Sequence, residues 1–139
     1  MTFEIAAPPE RVWATLVDVE RWPKWTGSMR EVTKLDGGEL ATGKTVRVRQ
    51  PRMPALIWEV TEFDPGKSFS WRSSSPGITT LGTHHVRSTA GNRTAVTLGI
   101  HQSGPFAAAV ALLAGGRTKQ YVQMEAEGLK TRCETAQPV

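Results

Sequence analysis

Three histidines, one tyrosine and one cysteine are the groups best suited to proton transfer or nucleophilic chemistry: His84, His85, His101, Tyr121 and Cys133. Histidine is the side chain whose ordinary pKa places its charge change near neutral pH, so His84 is the natural candidate for general acid or base work. His84 and His85 are neighbours in a strand-like stretch, point to opposite faces and cannot share one metal ion. Val96, Leu98 and Ile100 alternate toward the interior, which sends His101 outward. With no Asp or Glu at ligand spacing beside any of the three, no metal site and no other cofactor are expected. Tyr121 and Glu125, four residues apart on a helix, share a face and could present a phenol and a carboxyl to one ligand. Cys133 has no dedicated histidine partner. Neither a Gly-x-Ser-x-Gly elbow nor a phosphate-cradling glycine loop occurs.

Five tryptophans stand out in a chain of 139 residues. Trp58 and Trp71 fall on the inward face of alternating segments, where an indole adds wall area and stacks on flat ligands. Trp13 sits on a helical stripe and reads as core.

These side chains must be positioned by the following elements. A short strand over Thr2–Ala6 stops at Pro8-Pro9, and Pro9 opens a helix with Val12, Trp13, Leu16 and Val17 on one stripe. A second short helix covers Val19 to Trp25, interrupted by Pro23. Then come strands over Met29–Leu35, Lys44–Gln50, Leu56–Val60, Phe69–Trp71 and beyond, Thr79–Thr89 and Arg93–Ser103, separated by turn signals such as Asp36-Gly37-Gly38 and Ala90-Gly91-Asn92. A last helix runs from Pro105 to about Glu134, with Phe106, Val110, Leu113, Arg117, Tyr121, Met124 and Leu129 approximating one face. Gly115-Gly116 interrupts it and predicts a kink or a close approach there. An antiparallel meander followed by one long amphipathic helix packs by laying the helix across the apolar face of a twisted sheet, which leaves room for a ligand between them.

Composition bounds the class. Hydrophobic residues make up 39% and charged residues 22%, as in ordinary globular proteins, and the length predicts one domain over 1–139. No apolar run reaches the ~20 residues of a membrane helix, and no secretory signal is visible, so a cytoplasmic protein without membrane insertion is expected. Seventeen basic against 13 acidic residues give a net charge of +4. The basic residues are scattered, with Arg47, Arg49 and Arg52 the nearest to a cluster, and no partner nucleic acid is expected.

Several segments carry a resemblance. Ala7-Pro8-Pro9-Glu10-Arg11-Val12-Trp13, Asp18-Val19 and Trp22-Pro23-Lys24-Trp25 resemble the N-terminal signature of the START-like, polyketide cyclase/dehydrase superfamily (SRPBCC). Glu62-Phe63-Asp64-Pro65-Gly66 with Phe69 and Trp71 is similar to its central hairpin. Gly82-Thr83-His84-His85-Val86, Ser103-Gly104-Pro105 and Tyr121 to Lys130 match a bacterial branch. The resemblance implies an α+β helix-grip fold: a seven-stranded antiparallel sheet, two short helices after the first strand, and a long C-terminal helix over a hydrophobic cavity. It also implies a small hydrophobic or aromatic ligand, lipid- or polyketide-like, with Trp25, at the cavity entrance, as a contact and Trp22 as an anchor. The ligand contacts expected are Trp25, Met29, Trp58, Trp71, His84, Ile100, Leu113 and Tyr121. The alternative is a cyclase/dehydrase-type enzyme, in which His84 would move the proton and Tyr121 would hydrogen-bond a substrate carbonyl. The sequence leaves open whether turnover occurs and whether a homodimer forms.

Overall fold

The computed structural model describes residues 1–135; the last four positions of the expected domain, 136–139, lie outside the described residues. Strand β1 (Thr2–Ile5) leads through Pro8 into helix α1 (Pro9–Val17), where proline at the first helical position is favoured and Val12 and Leu16 turn one face inward. A 3-10 helix, Val19–Lys24, follows, with Pro23 inside it and Trp22 buried beneath it. Strands β2 (Glu31–Lys34), β3 (Thr45–Arg49), β4 (Leu56–Asp64), β5 (Ser68–Ser75), β6 (Ile78–Thr89) and β7 (Arg93–Ser103) precede helix α2 (Ala107–Thr135).

All strands join one antiparallel seven-stranded sheet in the order β1-β7-β6-β5-β4-β3-β2. Alternation decides its faces. In β3, Val46 and Val48 are buried while Arg47 and Arg49 are exposed; in β4, Trp58 and Val60 are buried while Glu59 is exposed. Register aligns Trp71 of β5 with Gly82 of β6, and Gly82 with Ile100 of β7. A Cβ at Gly82 would come within 2.8 Å of Trp71 Nε1, so glycine is what lets this indole lie flat across the neighbouring strand. The helix-grip architecture read from the sequence is present.

Two details of α2 differ from expectation. Gly115-Gly116 causes no break in the helix, and nothing comes within 4 Å of a Cβ built at either glycine. The close approach lies instead at Gly128, where an added Cβ would stand 2.0 Å from the Trp25 carbonyl oxygen. The inward stripe also differs at Leu113: Ala114 lines the cavity in its place, and Leu113 is 85% exposed. At 3.6 residues per turn, positions three and four beyond Val110 are nearly equivalent in sequence, and the contacts of the C-terminal half set the phase. That half is anchored by Ala126, Leu129 and Cys133, all buried against the core, where Ile5, Val12, Leu16 and Phe69 are closed to solvent. No described helix is long and apolar enough to cross a membrane.

Candidate functional site

A cavity of about 140 Å³ lies between the sheet and α2. Six of the expected contacts line it: Met29, Trp58, Trp71, His84, Ile100 and Tyr121. Two do not. Leu113 points to solvent, with Ala114 taking the inward position beside it. Trp25 is held away by packing: its ring lies 5.5 Å from Trp22, and its carbonyl and ring edge are pressed against Gly128 of α2. Its Nε1 is buried without a partner.

The wall opposite α2 is aromatic. Trp25, Trp22, Trp71 and Trp58 form a continuous row with successive centroid separations of 5.5, 5.4 and 5.6 Å. Only the last two reach the cavity. Trp22 fixes the row from behind, donating from Nε1 to the Leu16 carbonyl oxygen at 2.9 Å in a buried hydrogen bond. This is the anchoring role expected of it.

His84 sits at the edge of that row. It stacks on Phe69 (centroids 4.2 Å, planes 13° apart) and meets Trp22 and Trp71 edge-on. Its Nδ1 lies 3.1 Å from the Phe69 carbonyl oxygen. A carbonyl oxygen only accepts, so Nδ1 carries the proton and Nε2 keeps its lone pair. Burial among apolar rings pushes the pKa down to about 4, against a partial offset from the Phe69 hydrogen bond. The ring is therefore neutral at pH 7, and the expectation that it changes charge near neutrality is corrected: the desolvation that a sequence does not display outweighs the intrinsic value.

Tyr121 donates its hydroxyl proton to the Pro51 carbonyl oxygen at 2.6 Å, tying α2 to the loop after β3. To a ligand it thus offers a ring and an oxygen lone pair, not a proton. Arg117, Tyr121 and Glu125 follow at four-residue steps and all three line the cavity. Glu125, read in the sequence only as a companion of Tyr121, has its carboxyl pushed up to about 8 by burial, with no hydrogen bond or neighbouring charge to offset it. The four-residue spacing along α2 was the available signal.

The two shifted groups act on stability with opposite sign. His84 binds fewer protons folded than unfolded between about pH 4 and 6.5, so acidification through that window destabilises the fold. Glu125 binds more protons folded than unfolded between about pH 4.5 and 8, so the same acidification stabilises it. The two contributions oppose one another between pH 7 and pH 5 in the wild type. Urea midpoints report the opposition when each group is removed in turn. They should fall with acid in Glu125→Gln and rise with acid in His84→Gln. Parallel pH profiles for all three proteins would refute the opposition.

The sequence matches, over residues 1–134, the family described as polyketide cyclase / dehydrase and lipid transport. No curated protein matches it. Among solved structures, a hypothetical protein from Helicobacter pylori is 17% identical with a TM-score of 0.81, over 95% of this chain and 86% of that one. A protein from Nitrosospira multiformis is 14% identical with a TM-score of 0.76, over 97% and 94%. The di-domain aromatase/cyclase StfQ of the steffimycin biosynthetic pathway is 16% identical with a TM-score of 0.69, over 96% of this chain and 44% of its own length. Likeness at these identities speaks for the fold.

Proposed function

This chain belongs to the polyketide cyclase/dehydrase and lipid transport family, and we propose that it binds a small hydrophobic or aromatic molecule in the cavity between the sheet and α2. The observation that carries this reading is the cavity itself, walled by the Trp58 and Trp71 indoles and by aliphatic side chains such as Val48, Leu98 and Ile100. Its size narrows the ligand. An apolar cavity of roughly 150 Å³ holds benzene, whereas drug-sized ligands need roughly 300 Å³ or more. About 140 Å³ therefore suits one aromatic ring or a compact bicyclic compound.

Binding is expected to quench or shift the fluorescence of Trp58 and Trp71 and to raise the melting temperature, since a ligand at 100 times its Kd adds about 2.7 kcal/mol to stability. A panel of single-ring and bicyclic hydrocarbons, ketones and phenols provides the measurement. If all of them leave both the spectrum and the melting curve unchanged, the reading is wrong.

The likeness to StfQ favours a second reading, a cyclase/dehydrase-type reaction on the bound molecule. Binding ranks first because the two groups on which a reaction would draw are poorly set for proton transfer at pH 7. His84 is a weak base at a pKa of about 4, and Tyr121 has its proton engaged by Pro51.

A further inference from the structure

We propose that the cavity selects an uncharged ligand bearing a carbonyl group, which accepts a hydrogen bond from Glu125, and rejects a carboxylate of the same shape. The inference rests on the cavity being the binding site and adds the polar chemistry of its ligand.

Glu125 is placed by α2, one turn beyond Tyr121, whose hydrogen bond to Pro51 fixes that stretch of the helix over the sheet. The groups sharing the cavity with it are few in kind. From its own helix come Arg117, an exposed residue eight positions before it, and the Tyr121 phenol, whose proton is already donated. From β6 comes His84, neutral and with its one N–H donated to Phe69. The remaining lining is apolar or uncharged, with Gln50, Thr80, Gln102 and Thr118 its other polar side chains.

Among the described residues no cation pairs with the Glu125 carboxyl, and no hydrogen bond holds it. Glu125 is half-buried and lines a mostly apolar cavity, where a carboxylate with neither partner is costly, so the group retains its proton at neutral pH and becomes an O–H donor without an acceptor among the described residues. Burial shifting its pKa to about 8 agrees with this state. A ligand that fills the apolar space and leaves this donor unmatched forgoes one hydrogen bond, while a carbonyl satisfies it. A ligand carboxylate would bring a charge into the same uncompensated surroundings and face its own desolvation cost.

The test uses the whole chain and three probes of matched size: acetophenone, ethylbenzene and benzoate, titrated against tryptophan fluorescence at pH 6.5 and pH 9. None of them changes protonation between these two values. In the wild type at pH 6.5, acetophenone is expected to bind about fivefold tighter than ethylbenzene, the scale of one hydrogen bond, and benzoate weakest of the three. At pH 9 the ionised Glu125 can only accept, and the ketone advantage should vanish. In Glu125→Gln the amide N–H donates at both pH values, so the advantage should persist at both. In Glu125→Leu it should be absent at both, with ethylbenzene binding retained. A ketone advantage that survives pH 9 in the wild type, or survives in Glu125→Leu, overturns the proposal, as does benzoate binding as tightly as acetophenone. If ethylbenzene and acetophenone both leave the tryptophans unperturbed, the cavity reading itself falls, an outcome distinct from binding without selectivity. The near-isosteric Glu125→Gln keeps the test decisive should Glu125→Leu fail to fold.

Discussion

Replacing Gly128 by alanine is expected to lower the unfolding free energy by about 2–4 kcal/mol, although the same change inside a helix ordinarily gains up to about 1 kcal/mol. The sign reverses because the added methyl would stand 2.0 Å from the Trp25 carbonyl oxygen and 3.0 Å from its carbonyl carbon. Both are backbone atoms, so the clash cannot be relieved by rotating a side chain. Either α2 lifts from the 3-10 helix, uncovering Leu129 and the Trp22–Trp25 pair, or the backbone around Trp25 is forced outward. Gly115→Ala and Gly116→Ala in the same helix meet no atom within 4 Å and should each gain about 0.5–1 kcal/mol. Urea unfolding of the three variants side by side measures the contrast. Equal or greater stability of Gly128→Ala would show that the two backbones separate at no cost.

Trp22→Ala is expected to destabilise the protein by about 3–5 kcal/mol, the range for emptying a buried aromatic site. Trp22 is 1% exposed and touches Trp25, Trp71 and His84 at once. Its removal also leaves the Leu16 carbonyl oxygen without its buried donor. Trp22→Phe separates the two effects: the ring volume is largely kept and the hydrogen bond is lost, for about 1–3 kcal/mol. Chemical denaturation gives the energies, and near-ultraviolet circular dichroism reports whether Trp71 and Trp58 keep their mutual tilt. Because Trp71 rests between Trp22 and the cavity, Trp22→Ala should also weaken ligand binding at temperatures where the fold survives. Unchanged stability in Trp22→Ala would mean that the indole row does not brace the cavity wall.

Much of this architecture was legible because strands advertise their faces. Val46 and Val48 against Arg47 and Arg49, or Trp58 and Val60 against Glu59, specify both strand and orientation, and four of the expected contacts that line the cavity, Trp58, Trp71, His84 and Ile100, stand on strands. The failures share one cause. Leu113 and Ala114 are both acceptable on a helical stripe, and only packing around Leu129 and Cys133 chooses between them. Gly115-Gly116 is conspicuous as a pair, whereas Gly128 is isolated, yet it is Gly128 that meets another backbone. The resemblance makes Trp25 a ligand contact at the cavity entrance, but its carbonyl and ring edge pack against Gly128 of α2 instead. The protonation states of His84 and Glu125 depend on which groups surround them from other elements. Local sequence carries no record of that.

The sheet order has a consequence for how the chain acquires its fold. β1 has a single neighbour, β7, and Thr2 bonds Thr97 across 95 residues of sequence. β2 through β7, by contrast, pair in succession as each hairpin is completed. On the ribosome β1 therefore stays without a strand partner, its inward Ile5 uncovered, until synthesis has passed Ser103. The helix segment bearing Leu129, which completes the core around Ile5, emerges later still. Such non-local closure raises the contact order and slows folding relative to a pure meander, since its loop entropy is lost before any contact compensates for it. Nascent chains that stall before β7 present an unpaired β1 beside an open sheet edge, the arrangement most prone to pairing with another chain.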